Sequence, residues 1–136
     1  MDKLKLPKRI VHQIIQYFID HLPEESCGIL AGQNDNVTNN IPITNQAHSP
    51  VRYYMEPIEL FKALEFIDEE QLTLLAIYHS HPNGPGWPSE TDIKEFLYPG
   101  VATIIGFTDN GEWHIKAFII RGEKFEEIDF EIIKDS

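Results

Sequence analysis

Apolar residues at helical spacing predict two amphipathic helices. The first lies between Pro7 and Pro23, where apolar side chains recur every three or four positions. Pro7 suits the first helical position, and Pro23 should end the helix. The buried face of this helix is predicted to consist of Ile10, Val11, Ile14, Ile15, Phe18 and Leu22. A second helix is predicted to begin near Pro57, with a buried face of Leu60, Phe61, Leu64 and Ile67.

Short apolar runs and alternating patterns predict the strands. Residues 72–78 are almost continuously apolar, as expected of a central strand covered on both faces, and they run directly into His79-Ser80-His81. The other predicted strands are 27–32, 37–44, 101–107 and 112–120, and a last strand with Ile128, Phe130 and Ile132 facing inward. The turn chemistry of residues 108–111 predicts a hairpin between the strands 101–107 and 112–120.

The remaining segments predict loops and one short helix. Residues 45–55 should be irregular, and the prolines and glycines of 82–88 exclude regular structure. Ser89 to about Leu97 is predicted to be a short helix. The order of elements predicts an α/β (α+β) fold in which a mixed central sheet is flanked by helices.

Length and composition place this fold in a single soluble domain. The chain has 136 residues, of which 42% are apolar, so residues 1–136 are expected to form one domain around one core. Apolar runs are shorter than the roughly 18–20 residues that cross a bilayer, and the start of the chain lacks the features of a signal peptide. We therefore expect a cytoplasmic protein that does not insert into membranes. A net charge of −11 argues against nucleic acid as a partner, because phosphates would be repelled.

Cys27 is the only cysteine, which excludes an intramolecular disulfide and a cysteine-built zinc site. In an apolar strand a cysteine is more often an inert buried thiol than a nucleophile. Any metal centre in this chain must therefore be built from histidine and carboxylate side chains.

The segment after the central strand has the residues for such a centre. His79 and His81 are two positions apart, so in an extended backbone their imidazoles point to the same side. Asp92 follows eleven residues later, in the first turn of the short helix. Two histidines and one carboxylate make three protein ligands, which leaves the fourth position of a catalytic zinc ion open for water. The alternatives are a hydrogen-bonded histidine pair without metal, and a helix N-cap formed by Ser89 with Asp92 in the first turn.

A carboxylate from another segment is needed to take a proton from the attacking water. Glu24 and Glu25 lie between the first helix and the following strand, a junction that can face the same end of the sheet. Spacing alone does not distinguish between them.

At this point the pattern resembles a known family. His79-Ser80-His81, seven residues, Ser89, two residues and Asp92 are similar to the signature of the JAMM (MPN-positive) metalloproteases. The segment 23–32 is similar to the one that carries the catalytic glutamate of that family, and by this resemblance the glutamate is Glu25. The similarity extends through residues 45–50 and 56–57.

The resemblance implies a cytidine-deaminase-like fold and a zinc peptidase. Zn²⁺ would be bound by His79, His81 and Asp92, with Glu25 as general base and then acid. Ser89 would donate a hydrogen bond to the oxyanion. Compact prokaryotic members cleave beside the C-terminal Gly-Gly of ubiquitin-like or sulfur-carrier proteins, which makes such a protein the expected substrate.

One other function competes with this prediction, and two kinds of zinc hydrolase can be set aside. A non-catalytic scaffold of the same family is the main alternative, because a fold alone does not fix a function. Nucleoside deaminases and zincins need Cys-x-x-Cys and His-Glu-x-x-His sets respectively, and both are absent. The oligomeric state and the choice between peptide and isopeptide bonds stay open.

Overall fold

The structure is a computed structural model, and it describes residues 3–135. This part of the chain contains eight strands and three helices. The helices are α1 (Lys8–Asp20), α2 (Pro57–Glu69) and α3 (Glu90–Lys94). The strands are β1 (Leu4–Pro7), β2 (Cys27–Gln33), β3 (Asn36–Ile43), β4 (Thr73–His81), β5 (Ala102–Asp109), β6 (Glu112–Arg121), β7 (Lys124–Ile128) and β8 (Phe130–Ile133). Within the described residues, no helix is long and apolar enough to cross a membrane.

The strands form one mixed sheet in the order β7-β6-β5-β4-β2-β3-β1-β8. Parallel pairs join β4 to β5 and β1 to both β3 and β8, whereas the other neighbours are antiparallel. β7 and β8 stand at opposite ends of this order although only Asp129 separates them in the chain. The sheet must therefore curl until its two ends approach each other. The predicted mixed sheet flanked by helices is confirmed.

The curled sheet encloses α1, and α2 covers its other face. Ile14 and Phe18 of α1 are fully buried in a cluster that draws residues from both halves of the sheet. Ala63 and Ile67 of α2 pack in a second cluster, against Ile29 and Ile77 on the opposite face. Each face of the central strands is thus covered, which explains their continuous apolar sequence.

Alternation along β4 decides which side chains face which layer. Tyr78 lies in the α1 layer, where a Cβ atom at Gly28 would overlap its ring. Ile77 lies in the α2 layer. Because residues two apart share a face, His79 and His81 lie on the α2 side at the end of the central strand. The predicted position of the histidine pair therefore agrees with the structure, although β4 extends through His81 instead of ending at residue 78.

The first predicted helix is shorter than expected at both ends. Pro7 is the last residue of β1 and the N-cap of α1, not the first helical residue. Leu22 lies beyond the helix and is 46% exposed, so it does not belong to the buried face. The pattern missed β1, because this short strand contains lysine and is held by pairing with distant residues of β3 and β8.

Three further predictions need correction where apolar side chains turn out to be exposed. Phe61 is 65% exposed, and the buried residues of α2 are Ala63 and Ile67. The short helix α3 ends at Lys94, which leaves Leu97 outside it and 77% exposed. The predicted last strand is two strands, β7 and β8, and Ile132 is 53% exposed.

Candidate metal centre

His79 and His81 meet Asp92 at the C-terminal end of β4. The Nε2 atoms of the two histidines lie 3.1 Å apart, and each is 3.0 Å from Oδ2 of Asp92. His79 is fully buried and His81 almost so. The three residues singled out by spacing are therefore brought together by the fold, although their roles stay predictions.

A capping box holds Asp92 in place. The backbone N–H of Asp92 donates to Oγ of Ser89 at 3.0 Å, and the backbone N–H of Ser89 donates to Oδ2 of Asp92 at 2.9 Å. The N-cap alternative is thus correct, and it coexists with the meeting of Asp92 and the histidines. Because the Ser89 hydroxyl accepts the capping bond, its own proton remains free to be donated elsewhere.

The tautomer of His81 is set by its neighbour in the loop 82–88. Nδ1 of His81 lies 2.8 Å from the carbonyl oxygen of Pro85, which can only accept, so Nδ1 carries the proton. In the neutral ring, Nε2 then presents a lone pair to Asp92 and His79, the arrangement usual for a metal-binding imidazole. The His79 ring is instead held by stacking on Tyr53, with ring centroids 4.5 Å apart. Its buried Nδ1 has no hydrogen-bond partner among the described residues.

These contacts fit a bound cation better than a hydrogen-bonded triad. Nε2 of His79, Nε2 of His81 and Oδ2 of Asp92 each lie 3.0–3.1 Å from the other two, so a hydrogen-bonded triad would need a proton in each of three contacts. Because Nε2 of His81 carries no proton in the neutral ring, the triad has fewer protons than contacts. Ligand atoms about 2.0–2.1 Å from one tetrahedral zinc ion lie about 3.3 Å apart, so small adjustments would satisfy the geometry. The two nitrogens and one oxygen therefore form a donor set that suits zinc.

Glu25 faces the same centre from the segment before β2. It is 5% exposed, and its carboxylate lies with the two histidines in a group whose ligand atoms are all within 4.8 Å of one another. Its Oε1 has no hydrogen-bond partner within residues 3–135. Glu24, in contrast, is partly exposed and contacts Nδ1 of His48 at 3.2 Å. Of the two glutamates that spacing left open, Glu25 is therefore the one that lies beside the histidines, although it does not approach them as closely as Asp92 does.

Burial and charge shift the pKa values of these groups. Burial raises the pKa of Glu25 to about 8, with the His81 charge opposing and the Asp92 charge adding to this shift. Burial lowers the pKa of His79. Burial also acts to lower the pKa of His81, but hydrogen bonds to Asp92 and Pro85 raise it overall. Burial alone would raise the pKa of Asp92, but hydrogen bonds from His79 and His81 hold it well below its usual range. In the chain without metal, Asp92 is therefore held as a carboxylate, whereas burial favours the protonated form of Glu25.

An apolar groove leads away from the centre. It has a volume of about 410 Å³ and is bounded on one side by residues 51–55 and on the other by 95–98, with Asp92 in its wall. Arg52 and Glu95 form an ion pair of 2.9 Å between the two sides. A larger cavity of about 960 Å³ lies beside Gly100 and Ile120 and includes no residue of the metal centre. The groove, not the larger cavity, is thus the feature connected to the chemistry.

The remaining histidines and the cysteine have no place in this centre. His12, His21, His48 and His114 are exposed. Cys27 is buried, and burial raises the pKa of its thiol to about 12, which keeps it protonated and inert. Trp87 is 55% exposed, between the buried Gly86 and Pro88. Hydrophobic spacing gave no sign of Tyr53, which stacks on His79 from a segment without regular structure.

Comparison with known proteins identifies relatives over most of the chain. The family described as prokaryotic homologs of the JAB domain matches residues 7–120. A probable TtuB-protein conjugate cleaving protease of Thermus thermophilus is 37% identical over 86% of this chain and 76% of its own length. A desampylase of Haloferax volcanii is 35% identical over 78% of this chain and 76% of its own length. A CysO-cysteine peptidase of Mycobacterium tuberculosis is 33% identical over 70% of this chain and 66% of its own length.

Solved structures share the fold. A protein of Desulfitobacterium hafniense superposes with a TM-score of 0.87 at 25% identity, covering 97% of this chain and 94% of that protein. A JAB1/MPN domain protein of Archaeoglobus fulgidus superposes with a TM-score of 0.63 at 20% identity, covering 98% of this chain and all of the other. The curled mixed sheet is therefore an architecture that the JAB1/MPN domain has as well.

Proposed function

This chain belongs to the prokaryotic branch of the JAB (JAMM/MPN) family, and from that premise we propose that it is a zinc-dependent peptidase. It hydrolyses the bond that follows the C-terminal Gly-Gly of a ubiquitin-like or sulfur-carrier protein. The observation that carries the proposal is the meeting of His79, His81 and Asp92 within 3.0–3.1 Å of one another, with Glu25 buried beside them. Three protein ligands leave an open position, which is typical of catalytic zinc and not of structural zinc.

The chain supplies the groups that peptide hydrolysis needs. Zinc bound by His79, His81 and Asp92 would lower the pKa of a coordinated water to about 7 and polarise the scissile carbonyl. Glu25 accepts a proton from the attacking water and then delivers it to the leaving nitrogen, so one carboxylate serves both steps. Burial raises the pKa of Glu25 in the chain without metal, and the charge of a bound zinc ion would lower it again towards the range in which the carboxylate can accept a proton and return it.

Ser89 is suited to stabilise the oxyanion that forms on the scissile carbonyl. Its Oγ already accepts from the backbone N–H of Asp92, which fixes the hydroxyl while leaving its proton available. A donor that is aimed at developing negative charge contributes about 3 kcal/mol to transition-state stabilisation. Capping and catalysis are therefore compatible uses of the same side chain.

The groove favours an extended protein tail as substrate. Asp92 is one of the residues that line it, together with apolar side chains such as Leu60, Phe96 and Tyr98. An extended tail can lay its apolar side chains in the groove, while glycine residues allow its backbone to approach the enclosed metal centre closely. The names of the relatives agree with such substrates, since these proteins are named for cleaving TtuB–protein conjugates and CysO-cysteine and as desampylases.

The further properties of the enzyme follow from the same assignment. Residues 1–136 are proposed to act as one catalytic domain, because a single sheet carries the core on both of its faces. The substrate is proposed to be a cytoplasmic carrier protein, and nucleic acid is disfavoured by the net charge of −11.

Mass spectrometry of carrier proteins tests the proposal. The host's sulfur-carrier and ubiquitin-like proteins, extended past Gly-Gly, are incubated with the purified chain with and without a zinc chelator. We expect products that end at Gly-Gly, and we expect the chelator to stop their formation. Cleavage that the chelator leaves intact would contradict the role of the metal. No cleavage together with no bound zinc, even after zinc is added, would favour the non-catalytic scaffold instead.

A further inference from the structure

Asn45 is a buried polar residue outside the metal centre and outside the two apolar clusters. It is 6% exposed, and its amide makes four hydrogen bonds. Nδ2 donates to the carbonyl oxygens of Glu25 at 3.0 Å and Arg52 at 3.1 Å. Oδ1 accepts from the backbone N–H groups of Ala47 and Tyr54, both at 3.0 Å. The two carbonyls and the two N–H groups leave only one orientation of the amide that satisfies every partner.

The backbone of Glu25 is held by the segment 45–55 and not by the sheet ladder. β2 begins at Cys27, so Glu25 lies outside the register of β2 with β4. Its carbonyl accepts from Asn45, and its N–H donates to the carbonyl oxygen of Ser49 at 2.8 Å. Since Oε1 of Glu25 has no partner within the described residues, the direction of its carboxylate depends on how its backbone is held.

The same amide also fixes two other parts of the centre. Its partners Arg52 and Tyr54 flank Tyr53, whose ring stacks on His79. Residues 51–55 form one wall of the groove. The Asn45 side chain thus connects three parts of the site. These are the backbone of Glu25, the segment that carries the Tyr53 ring, and one wall of the proposed substrate groove.

We propose that Asn45 is the positioning residue that holds Glu25 in the direction its proton transfers require. The inference rests on the proposed function, because it assigns Asn45 to the reaction of Glu25. Asn45 acts through the backbone of Glu25 and need not touch substrate.

Substitution by aspartate tests the proposal with almost no change of shape. In the Asn45→Asp variant the oxygens still accept from Ala47 and Tyr54, but the donors to Glu25 and Arg52 are lost. We expect kcat to fall between about tenfold and one hundredfold, as small misplacements of a catalytic group do. KM should change by a smaller factor than kcat, because the bonds from Ala47 and Tyr54 still hold the groove wall, and zinc should stay bound at one equivalent.

Asn40→Asp is the matched control, because Asn40 is a partly buried asparagine whose Oδ1 accepts from the Tyr78 hydroxyl at 2.7 Å. Any loss of stability in this variant should leave kcat unchanged. A kcat for the Asn45→Asp variant within twofold of the unaltered protein, or a fall matched by Asn40→Asp, would overturn the assignment.

A measurement on the unaltered protein tests whether the Asn45 amide makes its hydrogen bonds, even if the Asn45→Asp variant does not fold. By NMR, the side-chain amide protons of Asn45 should exchange with solvent far more slowly than those of Asn34, which is exposed. Equal exchange rates would overturn the proposal. This readout needs neither substrate nor metal, so its failure is distinguishable from a failure of the proposed peptidase function.

Discussion

Ser26 and Ser80 are joined by two hydrogen bonds. The backbone N–H of Ser80 donates to the carbonyl oxygen of Ser26 at 3.0 Å, and the backbone N–H of Ser26 donates to Oγ of Ser80 at 2.9 Å. Ser26 follows Glu25, and Ser80 lies between His79 and His81. Both serines are buried, so these bonds set the separation between the proposed base and the proposed metal ligands where water does not compete.

Replacing Ser80 by alanine should destabilise the protein and reduce turnover. The N–H of Ser26 would lose its acceptor while buried, which costs about 1–3 kcal/mol of unfolding free energy. Thr103→Val is the control, because the hydroxyl of Thr103 is buried on the neighbouring strand and has no partner within residues 3–135. Urea denaturation and kcat measurements should show a loss for Ser80→Ala only. Equal stability of Ser80→Ala and the unaltered protein would contradict the importance of this bond.

Glu25→Gln should abolish turnover without removing the metal. Glutamine keeps the shape of the side chain but cannot accept and return a proton at neutral pH. Zinc content by elemental analysis should stay at one equivalent, since three other side chains are proposed to bind the ion. Glu24→Gln provides the comparison and should retain activity, because Glu24 faces His48. Turnover that survives in Glu25→Gln would exclude Glu25 as the base.

The stability of the protein stripped of metal should depend on the charge of Glu25. The pKa of this carboxyl is about 8 in the folded chain, above the value of 4.5 for an unperturbed group. Between these pH values the unfolded chain binds fewer protons at this site than the folded chain, so stability falls as pH rises. Glu25→Gln lacks this loss. Its melting temperature in chelator should therefore match that of the unaltered protein near pH 4.5 and exceed it increasingly towards pH 8. A difference in melting temperature between the two proteins that stays constant from pH 4.5 to 8 would show that the Glu25 carboxyl is not buried.

Two variants should separate the capping and metal-binding roles of α3. Asp92→Asn can still accept from the N–H of Ser89, so the helix cap should persist while zinc affinity falls more than about tenfold. Ser89→Ala removes both the capping acceptor and the proposed oxyanion donor, so kcat should fall by about one hundredfold or more, while zinc affinity should fall less than in Asp92→Asn. Competition with a fluorescent zinc chelator and steady-state kinetics measure the two effects. Unchanged zinc affinity in Asp92→Asn would remove Asp92 from the ligand set.

Replacing Phe61 should weaken substrate binding and leave the stability of the protein nearly unchanged. It is 65% exposed and lies at the apolar groove, so Phe61→Ser loses little packing. KM for a carrier-protein substrate should rise about tenfold, since buried aromatic contacts dominate such surfaces. Ile132→Ser, an exposed apolar residue in β8, should leave KM unchanged. A rise in KM that is equal for both variants would point to general loss of surface hydrophobicity.

The sequence predicted the elements whose signals are local. The period of α1 and the continuous apolar run of β4 follow from burial on one or both faces, so both were found and with them the position of His79 and His81. The turn at Asn110 and Gly111, where both φ angles are positive, was found because few residues adopt that backbone.

Features that depend on distant contacts were missed. β1 is held by strands that come from other parts of the chain, and Phe61 reads as core although it lies at a groove. Asn45 and Tyr53 belong to a segment without periodicity, where nothing local indicates that an amide or a ring is buried. Spacing along the sequence also did not distinguish Glu25 from Glu24, because the fold decides which of the two side chains is buried.

The run 124–133 supplies both terminal strands of the sheet, β7 against β6 and β8 against β1. This run joins the two ends of the sheet, so a cut or deletion within it would release both ends together. The barrel-like wrapping around α1 would then loosen from both sides, and Leu4, Leu6 and Phe18 would gain access to water. A protease that nicks this run should thus unfold the protein far more effectively than one that cleaves the exposed loop around Trp87.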